Sequence, residues 1–282
     1  MTCKHAIIPV AGYGTRRLPI TKTIEKEMLP ILNRPVVDYI VEDCVKAGIE
    51  HIIFVVSEDS TQLQHYYGRD PHFEEYLKKK GKDDYIKMIT PPENIQFDFV
   101  VQPRNAPFYG TTVPIALARP LIPKGESTLV LMGDDIVYDV DGGNAIKTLL
   151  DESQGEAAAM AAVVDKSEAP HYGVIISDEN GNLDHMLEKP AVDELPSEND
   201  TVNINISKFV FTSELLDETV KFYEEPYPED KEKYVNIQPL DRYLATGRIM
   251  KVVPIAGAYL DVGTLEKWLY ANNYVAKHLG IL

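Results

Sequence analysis

The stretch HAIIPVAGYGTRR at residues 5–17 decides the fold. A short apolar run leads directly into a glycine-rich segment, which is the pattern of a buried strand that feeds an anion-binding loop. Gly12 and Gly14 would let backbone N–H groups approach a phosphate, and Arg16 can donate two hydrogen bonds to its oxygens. The stretch therefore predicts the first strand of an α/β sheet with a phosphate-binding turn after it.

The residues that follow continue this arrangement. Residues 35–47 carry apolar side chains at helical spacing and end before Gly48, and residues 51–56 (HIIFVV) form a second apolar run. Further strands are predicted at 95–101 and 127–132. Strand, loop, helix and strand in this order predict an α/β fold with a Rossmann-like, mostly parallel sheet flanked by helices.

The second half of the chain has a different pattern. Alternating apolar and polar residues at 172–177, 182–187 and 203–211 predict a smaller, partly antiparallel sheet. The remaining periodic segments are predicted as helices at 142–152, 213–225 and 264–279, as a strand at 248–253, and as either a strand or a helix at 156–164. We expect one domain over 1–282, with lobes of about 1–135 and 136–282.

Charge and composition exclude several classes of protein. A net charge of −16 argues against nucleic-acid binding, which needs a basic surface. Residues 1–34 nevertheless carry six Lys and Arg against two Glu, the local charge that a small polyanionic ligand requires, although uneven chance distribution would also produce it. No run approaches the roughly 20 apolar residues of a membrane span, so we expect no membrane partner.

The N-terminus and the cysteines indicate a cytoplasmic protein. The apolar start runs straight into Gly12, without the longer apolar region and cleavage site of a signal peptide. Cys3 and Cys44 lack CxxC spacing and are too few for a disulfide framework or a zinc site. We expect both to be thiols within the core.

The glycine loop fits neither of two familiar nucleotide motifs. The third glycine of a GxGxxG dinucleotide fingerprint would fall at Arg17, which makes an NAD-dependent oxidoreductase a distant alternative. A Walker A loop would need Lys and Ser or Thr after its last glycine, and these are missing. Taken alone, GxG after a strand is most often only a tight turn.

Aspartates that follow two apolar runs are candidate metal ligands. Asp134 and Asp135 follow the apolar run LVLM, and Asp261 follows another apolar stretch. The carboxyl ends of strands are the usual active-site edge of a parallel sheet, and Mg²⁺ prefers one or two carboxylates together with phosphate oxygens and water. An Asp after a strand is also a common turn or cap residue, so both interpretations stay open on the residues alone.

A longer pattern carries a resemblance to a known family. AGYGTR at 11–16, Lys22 and KEMLP at 26–30 resemble the signature of the sugar-nucleotide pyrophosphorylases, GxGTR followed by PKEMLP. The resemblance covers essentially the whole chain, and the chain is most similar to the bacterial UTP–glucose-1-phosphate uridylyltransferases. It implies Mg²⁺-dependent transfer of a uridylyl group from UTP to glucose 1-phosphate, with a nucleotide lobe and a smaller sugar lobe in a GT-A-like nucleotidyltransferase fold.

The resemblance also implies roles for individual residues. Catalytic roles fall to Arg16, Lys26, Asp134 and Lys189, and the metal ligands are Asp134 and Asp261. Contacts to the nucleotide fall to Ala11, Gly12, Gly14, Thr15, Glu27, Gln102 and Gly110. Contacts to the sugar fall to Gly173 of the YGV motif and to Glu188 and Lys189 of the EKP motif, a tripeptide that alone would usually be a surface turn.

Four departures from the family pattern put the substrate in doubt. Glu25 stands where Pro is usual, Ser207 where Gly is usual, FYGTT at 108–112 replaces GLGHA, and VNIQPLD at 235–241 replaces GEIQLTD. The insertion at 70–95 favours the UTP-using branch. Use of dTTP or CTP, use of another sugar 1-phosphate, and a non-catalytic relative that binds UDP-sugar remain alternatives. A homodimer or homotetramer is possible.

Overall fold

The computed structural model describes residues 3–104, 109–196, 200–225, 233–234 and 237–282. The strands are β1 (His5–Pro9), β2 (Pro30–Ile31), β3 (Arg34–Pro35), β4 (His51–Ser57), β5 (Gln96–Gln102), β6 (Tyr109–Gly110), β7 (Thr128–Leu131), β8 (Asp135–Tyr138), β9 (Ala157–Asp165), β10 (Gly173–Ser177), β11 (Leu183–Glu188), β12 (Thr201–Phe211), β13 (Lys233–Tyr234), β14 (Met250–Pro254) and β15 (Ala258–Asp261). The α-helices are α1 (Val36–Lys46), α2 (Gln62–Tyr66), α3 (Pro71–Lys79), α4 (Ile86–Ile89), α5 (Thr112–Ala118), α6 (Ala145–Ser153), α7 (Ser213–Glu224), α8 (Ile237–Ala245) and α9 (Leu265–His278).

A mixed sheet with helices on both faces forms the body of the protein. β1 lies between β4 and β7 and runs parallel to both, and β5 extends this parallel part beyond β4. Neighbouring side chains of β1 lie on opposite faces of the sheet. Ile8 belongs to the core cluster that contains residues of α1, α6 and α9, and Ile7 belongs to the cluster that contains residues of α5, α7 and α8. Burial on both faces explains the continuous apolar run that identified this strand.

The sheet forks along β12. The C-terminal part of β12 pairs with β7 through Phe209 and its neighbours, whereas its N-terminal part pairs with β10 through Ile204, and β9 follows the opposite edge along most of its length. The register shifts between Asn205 and Phe209, as at a β-bulge. The chain leaving β7 and the chain entering β10 therefore meet at the same place, beside Ser207, whose carbonyl accepts from Met132 N at 3.2 Å.

A small two-stranded sheet brings the two predicted metal-binding segments together. β8 and β15 are far apart in the chain but pair antiparallel, and Asp135 is paired with Asp261 in their register. Asp134 immediately precedes β8, so it lies at the same end of this strand pair as Asp261. The sequence does not predict these two strands as a pair, because each is only four residues long.

The fold class predicted from the sequence is confirmed, with its mixed, mostly parallel sheet and antiparallel second part. The ambiguous segment 156–164 is the strand β9, which pairs with both β12 and β14. The sequence predicted thiols in the core, and within the described chain Cys44 is buried, Cys3 is half-buried and both are free. Among the described residues, none forms a helix with the length and apolarity to cross a membrane. The predicted division into lobes stays a prediction.

Candidate active site

The glycine loop packs against Lys26. After β1 the chain turns at Gly14, whose φ of 61° lies in the left-handed region that glycine adopts without strain. A Cβ on Gly12 would lie 3.3 Å from Lys26 Cε, and one on Gly14 would lie 3.2 Å from Lys26 Cβ. Thr21 Oγ1 donates to the Gly14 carbonyl at 2.8 Å. Small residues are therefore needed here so that the loop backbone can lie directly over the lysine.

Lys26 is surrounded by two carboxylates. Its Nζ donates to Asp134 Oδ2 at 2.6 Å and lies 3.3 Å from Glu27 Oε1. Burial acts to raise the pKa of Asp134, but the Lys26 ammonium outweighs it and lowers that pKa below its usual value. Asp134 is therefore ionised at neutral pH and is able to bind a cation.

Glu27 lies beneath the loop. It is 1% exposed, and neither of its carboxylate oxygens accepts a well-aligned hydrogen bond within the described structure. Burial raises the pKa of Glu27 to about 8, although the nearby Lys26 acts to lower it. The sequence assigned Glu27 to nucleotide binding. That assignment stays a prediction, while the contacts place the side chain against Lys26.

Arg17 ties the loop to the far end of the chain, and Arg16 faces the solvent. The buried Arg17 guanidinium donates to the carbonyls of Val262 and Thr264 at 2.7 and 2.6 Å. Arg16 is exposed, and a Cβ on Gly263 would lie 3.3 Å from its Nη2. Sequence reasoning selected Arg16 and missed Arg17. Adjacent arginines look alike in a sequence, and only the tertiary contacts separate their roles.

Asp261 already has a partner for each of its oxygens. Oδ1 accepts from Gly263 N at 2.7 Å, and Oδ2 accepts from Lys267 Nζ at 2.6 Å. Lys267 also donates to Tyr172 Oη at 2.7 Å. Burial acts to lower the pKa of Lys267, but the hydrogen bonds to Asp261 and Tyr172 raise it above its usual value. Lys267 gave no signal in the sequence, because its position in the first turn of α9 is typical of a solvent-facing residue.

Asp135, beside Asp134, has a different environment. It is 8% exposed and accepts from Lys208 Nζ, which is 2% exposed and also donates to the Asp135 carbonyl at 3.0 Å. Tyr259 Oη donates to Asp135 Oδ2 at 3.3 Å. Burial raises the pKa of Asp135 to about 6, against the influence of Lys208. Asp135 is thus engaged by other residues of the protein, and the choice of Asp134 as the metal ligand stays a prediction.

The predicted sugar-binding residues meet at the start of β10. Gly173 is paired with Glu188 in the register of β10 and β11, and a Cβ on Gly173 would lie 3.4 Å from Glu188 Oε2 and 3.7 Å from Asn205 Cβ. Lys189 has a φ of 51°, and its N donates to the Tyr172 carbonyl at 3.0 Å. The Lys189 side chain is 59% exposed, so its ammonium is accessible to a ligand.

Gln102 ends β5, at the same edge of the sheet as the glycine loop. It is half-buried and lies opposite Ser57 in the parallel register with β4. Gly110 has a φ of 146° just before α5, which only glycine adopts easily. Residue 108 of the predicted base loop at 108–112 lies outside the described residues, as do residues 235–236 of the VNIQPLD segment.

Two departures from the family pattern have structural explanations. Glu25 accepts from Ser60 Oγ at 2.9 Å and from Gln62 N at 3.2 Å, so it fastens the segment before Lys26 to the loop after β4. Ser207 has a φ of 53° at the fork of the sheet, the conformation for which glycine is usual. Its N donates to Asn205 Oδ1 at 2.8 Å, which supports this conformation.

The site suits a hard divalent cation that also binds a phosphate ligand. Asp134, directly before β8, and Asp261, the last residue of β15, are carboxylates at the same end of the β8–β15 strand pair. Across the described parts of the chain, no group of three or more His, Cys, Asp or Glu residues could hold a metal ion. A pair of carboxylates, completed by phosphate oxygens and water, is a typical Mg²⁺ donor set. A transition metal held only by protein ligands does not fit.

Comparisons with known proteins identify the family of this chain. The family model described as nucleotidyl transferase matches residues 5–278. A UTP–glucose-1-phosphate uridylyltransferase of Staphylococcus saprophyticus is 36% identical over 203 residues, which are 70% of this chain and 69% of that protein. A putative UTP–glucose-1-phosphate uridylyltransferase of Methanocaldococcus jannaschii is 31% identical over 280 residues, 95% of this chain and 92% of that one.

Solved structures show the same fold. A UDP-glucose pyrophosphorylase of Acinetobacter baumannii matches with a TM-score of 0.82 and 25% identity, covering 98% of this chain and 95% of that one. A UDP-glucose pyrophosphorylase complexed with UDP-glucose matches with a TM-score of 0.78 and 28% identity, covering 98% and 99%.

Proposed function

This chain belongs to the nucleotidyl transferase family, and we propose that it transfers a uridylyl group from UTP to glucose 1-phosphate, giving UDP-glucose and pyrophosphate. One observation carries the proposal: Lys26 and the ionised Asp134 form a pair at 2.6 Å directly beneath the glycine loop. A cation and a cation-binding carboxylate under a phosphate-binding turn are the groups that phosphoryl transfer requires. Relatives named for this activity supply the substrate pair.

The nucleotide end of the site neutralises the negative charge of the triphosphate. Backbone N–H groups of Ala11, Gly12, Gly14 and Thr15 would hold the triphosphate. Arg16 lies exposed at the mouth of the loop and Lys26 below it, so the two cations approach the phosphates from different sides. They would stabilise the negative charge that gathers on the leaving pyrophosphate. Gln102 offers an amide able to pair with both a donor and an acceptor of the base, with Gly110 packing against it.

The sugar end orients the attacking phosphate. Lys189 would bind the phosphate of glucose 1-phosphate, since its exposed ammonium projects beside the start of β10. Glu188 would accept hydrogen bonds from sugar hydroxyls, and Gly173 leaves the space for the ring. An anionic phosphate oxygen attacks the α-phosphorus and the bond to pyrophosphate breaks, so no protein base or covalent nucleophile is needed. Positioning supplies much of such a rate enhancement.

Asp134 and Asp261 are the residues we propose as ligands of Mg²⁺. The ion would offset the repulsion between the two phosphates and polarise the α-phosphate. A cytoplasmic location and assembly into a homodimer or homotetramer remain predictions, as does the two-lobe division at about residue 135.

The direct test is pyrophosphate release with Mg²⁺, UTP and glucose 1-phosphate, measured on the whole chain. We expect release by the wild type and a loss of at least about 100-fold in kcat for Asp134→Ala. Asp151→Ala is the matched control, because Asp151 is exposed on α6 and pairs only with Lys147 among the described residues, and it should keep full activity.

A grid of triphosphates and sugar phosphates distinguishes the alternatives. Activity only with dTTP or CTP, or only with another sugar 1-phosphate, would keep the chemistry and contradict the assigned substrate pair. UDP-glucose binding without turnover of any pair would indicate a non-catalytic relative. Nucleotide that stayed covalently attached to the enzyme would contradict direct displacement.

A further inference from the structure

A lysine ammonium lies against each of the two carboxylates that we propose as metal ligands. Lys26 Nζ is 2.6 Å from Asp134 Oδ2, and Lys267 Nζ is 2.6 Å from Asp261 Oδ2. Lys26 contacts the phosphates in the proposed transfer reaction, whereas that proposal assigns no role to Lys267. The side chain of Lys267 is 36% exposed, so it is held in the site without being enclosed by it.

A divalent cation that bound Asp261 through Oδ2 would have to share that oxygen with Lys267. Asp261 Oδ1 accepts the Gly263 N–H at 2.7 Å, a bond that fixes the orientation of the carboxylate, and Oδ2 is the oxygen that Lys267 contacts. Two cations on one oxygen repel each other strongly at distances of a few ångströms. Binding of a divalent ion to Asp261 therefore requires the ammonium to move away.

A second set of contacts determines where the ammonium can go. Lys267 donates to Tyr172 Oη at 2.7 Å and lies 4.6 Å from the centre of the Tyr172 ring. The Tyr172 carbonyl accepts a hydrogen bond from the backbone N–H of Lys189 at 3.0 Å. An ammonium that leaves Asp261 but keeps Tyr172 stays close to Lys189, the residue that we assign to the sugar phosphate. There a phosphate group would replace the carboxylate that Lys267 has lost.

We propose that Lys267 is a counter-ion that a divalent cation displaces from Asp261, and that the displaced ammonium then binds the phosphate of the sugar 1-phosphate. The second half rests on the proposed function, whereas the competition at Asp261 does not. The arrangement couples the two ligands: the metal frees a cation for the phosphate, and the phosphate keeps that cation away from the metal site. By linkage, each ligand raises the affinity for the other.

The competition is tested by titrating the whole chain with Mn²⁺, without nucleotide, and measuring free Mn²⁺ by electron paramagnetic resonance. Mn²⁺ suits the same carboxylate donors as Mg²⁺. Lys267→Met should bind Mn²⁺ about fivefold more tightly than the wild type, the scale of one partly exposed ion pair. Lys267→Arg keeps the charge and should stay close to the wild type. Lys277→Met, on the exposed last turn of the same helix, should change nothing.

A double variant tests whether the tighter Mn²⁺ binding depends on the Asp261 carboxylate. The tighter binding of Lys267→Met should disappear in Lys267→Met/Asp261→Asn. Equal Mn²⁺ affinity of the wild type and Lys267→Met, or no binding by either, would overturn the competition. Thermal unfolding of each variant shows whether it is folded.

The phosphate role is tested by steady-state kinetics at saturating Mg²⁺. Lys267→Met should raise KM for glucose 1-phosphate about tenfold and leave KM for UTP within about twofold, since one charge-assisted contact to the sugar phosphate is lost. An unchanged KM for the sugar phosphate would overturn this half. If the wild type turned over no substrate pair, the proposed function and the phosphate role of Lys267 would fail together. The Mn²⁺ titration would still test whether Lys267 and the metal ion compete for Asp261.

Discussion

Arg17 donates a hydrogen bond to the carbonyl of Thr264 at 2.6 Å, across 247 positions of the chain. Thr264 is also the N-cap of α9, since its Oγ1 accepts from Lys267 N at 3.3 Å. The loop after the first strand and the turn that carries Asp261 are therefore one structural unit. The Arg17 guanidinium lies 5.4 Å from the centre of the Trp268 ring and extends this contact along α9.

Replacing Arg17 should separate the glycine loop from the Asp261 turn. Arg17→Lys keeps the charge but loses the planar fork that reaches two carbonyls, so we expect the free energy of unfolding to fall by about 2 kcal/mol. KM for UTP should rise as well, because the loop loses its support. Urea unfolding and steady-state kinetics measure the two effects.

The matched control is Arg248→Lys, at an exposed arginine that lies 3.7 Å from Glu214. Surface pairs contribute little, and we expect a change of at most about 0.5 kcal/mol. If Arg17→Lys were as mild as this control, the link between the loop and the Asp261 turn would not be a stabilising contact.

The buried Glu27 should give the protein a pH-dependent stability. Its pKa is raised to about 8 in the fold from an ordinary value of 4.5. The native state therefore holds a proton that the unfolded chain releases, and stability is full below about pH 4.5 and declines as the pH rises toward 8. The loss should be on the order of 4 kcal/mol, because about 1.4 kcal/mol accompanies each pH unit between the two pKa values.

Glu27→Gln removes this titration. Urea unfolding at pH 5 and pH 8, with a chelator present, should show a smaller decline for Glu27→Gln than for the wild type. Glu152→Gln, at an exposed position of α6, controls for the loss of one charge. Parallel declines in the wild type and Glu27→Gln would show that Glu27 is not the group responsible.

The buried pair of Lys208 and Asp135 should be strongly coupled. Lys208→Met leaves Asp135 buried without its ammonium partner, so we expect a loss of about 3 kcal/mol. The double variant Lys208→Met/Asp135→Asn leaves no unpaired charge and should recover most of that loss. A double-mutant cycle by urea unfolding measures the coupling. Additive losses would contradict the ion pair as the source of the stability.

The sequence predicted the parts of the site that depend on local pattern. The strand-to-glycine transition predicted the loop, and apolar runs ending in aspartate pointed to Asp134, Asp135 and Asp261. The family resemblance then selected Asp134 and Asp261 as metal ligands, which stays a prediction. It did not predict Arg17, Lys208 or Lys267, because their partners lie on other elements and no spacing rule connects them. The pairing of β8 with β15 was missed for the same reason, since these two short strands are far apart in the chain and meet only through tertiary contacts.

Ser207 should tolerate glycine and reject a β-branched residue. Its φ of 53° costs an L-residue about 1 kcal/mol, which glycine avoids, but glycine also gains freedom in the unfolded chain. These effects nearly cancel, so Ser207→Gly should stay within about 0.5 kcal/mol of the wild type in urea unfolding. Ser207→Val should lose about 2 kcal/mol, because branching at Cβ makes the left-handed conformation much less favourable.

Ser177→Val serves as the control, because Ser177 is exposed at the end of β10 and its φ is not positive. Valine favours extended strands, so this variant should change the free energy of unfolding by at most about 0.5 kcal/mol. A loss confined to position 207 would show that the backbone conformation at the fork of the sheet is selective. If valine were tolerated equally at both positions, Ser207 would not need its left-handed conformation. The usual glycine of the family would then require an explanation other than φ, such as close approach of the sugar.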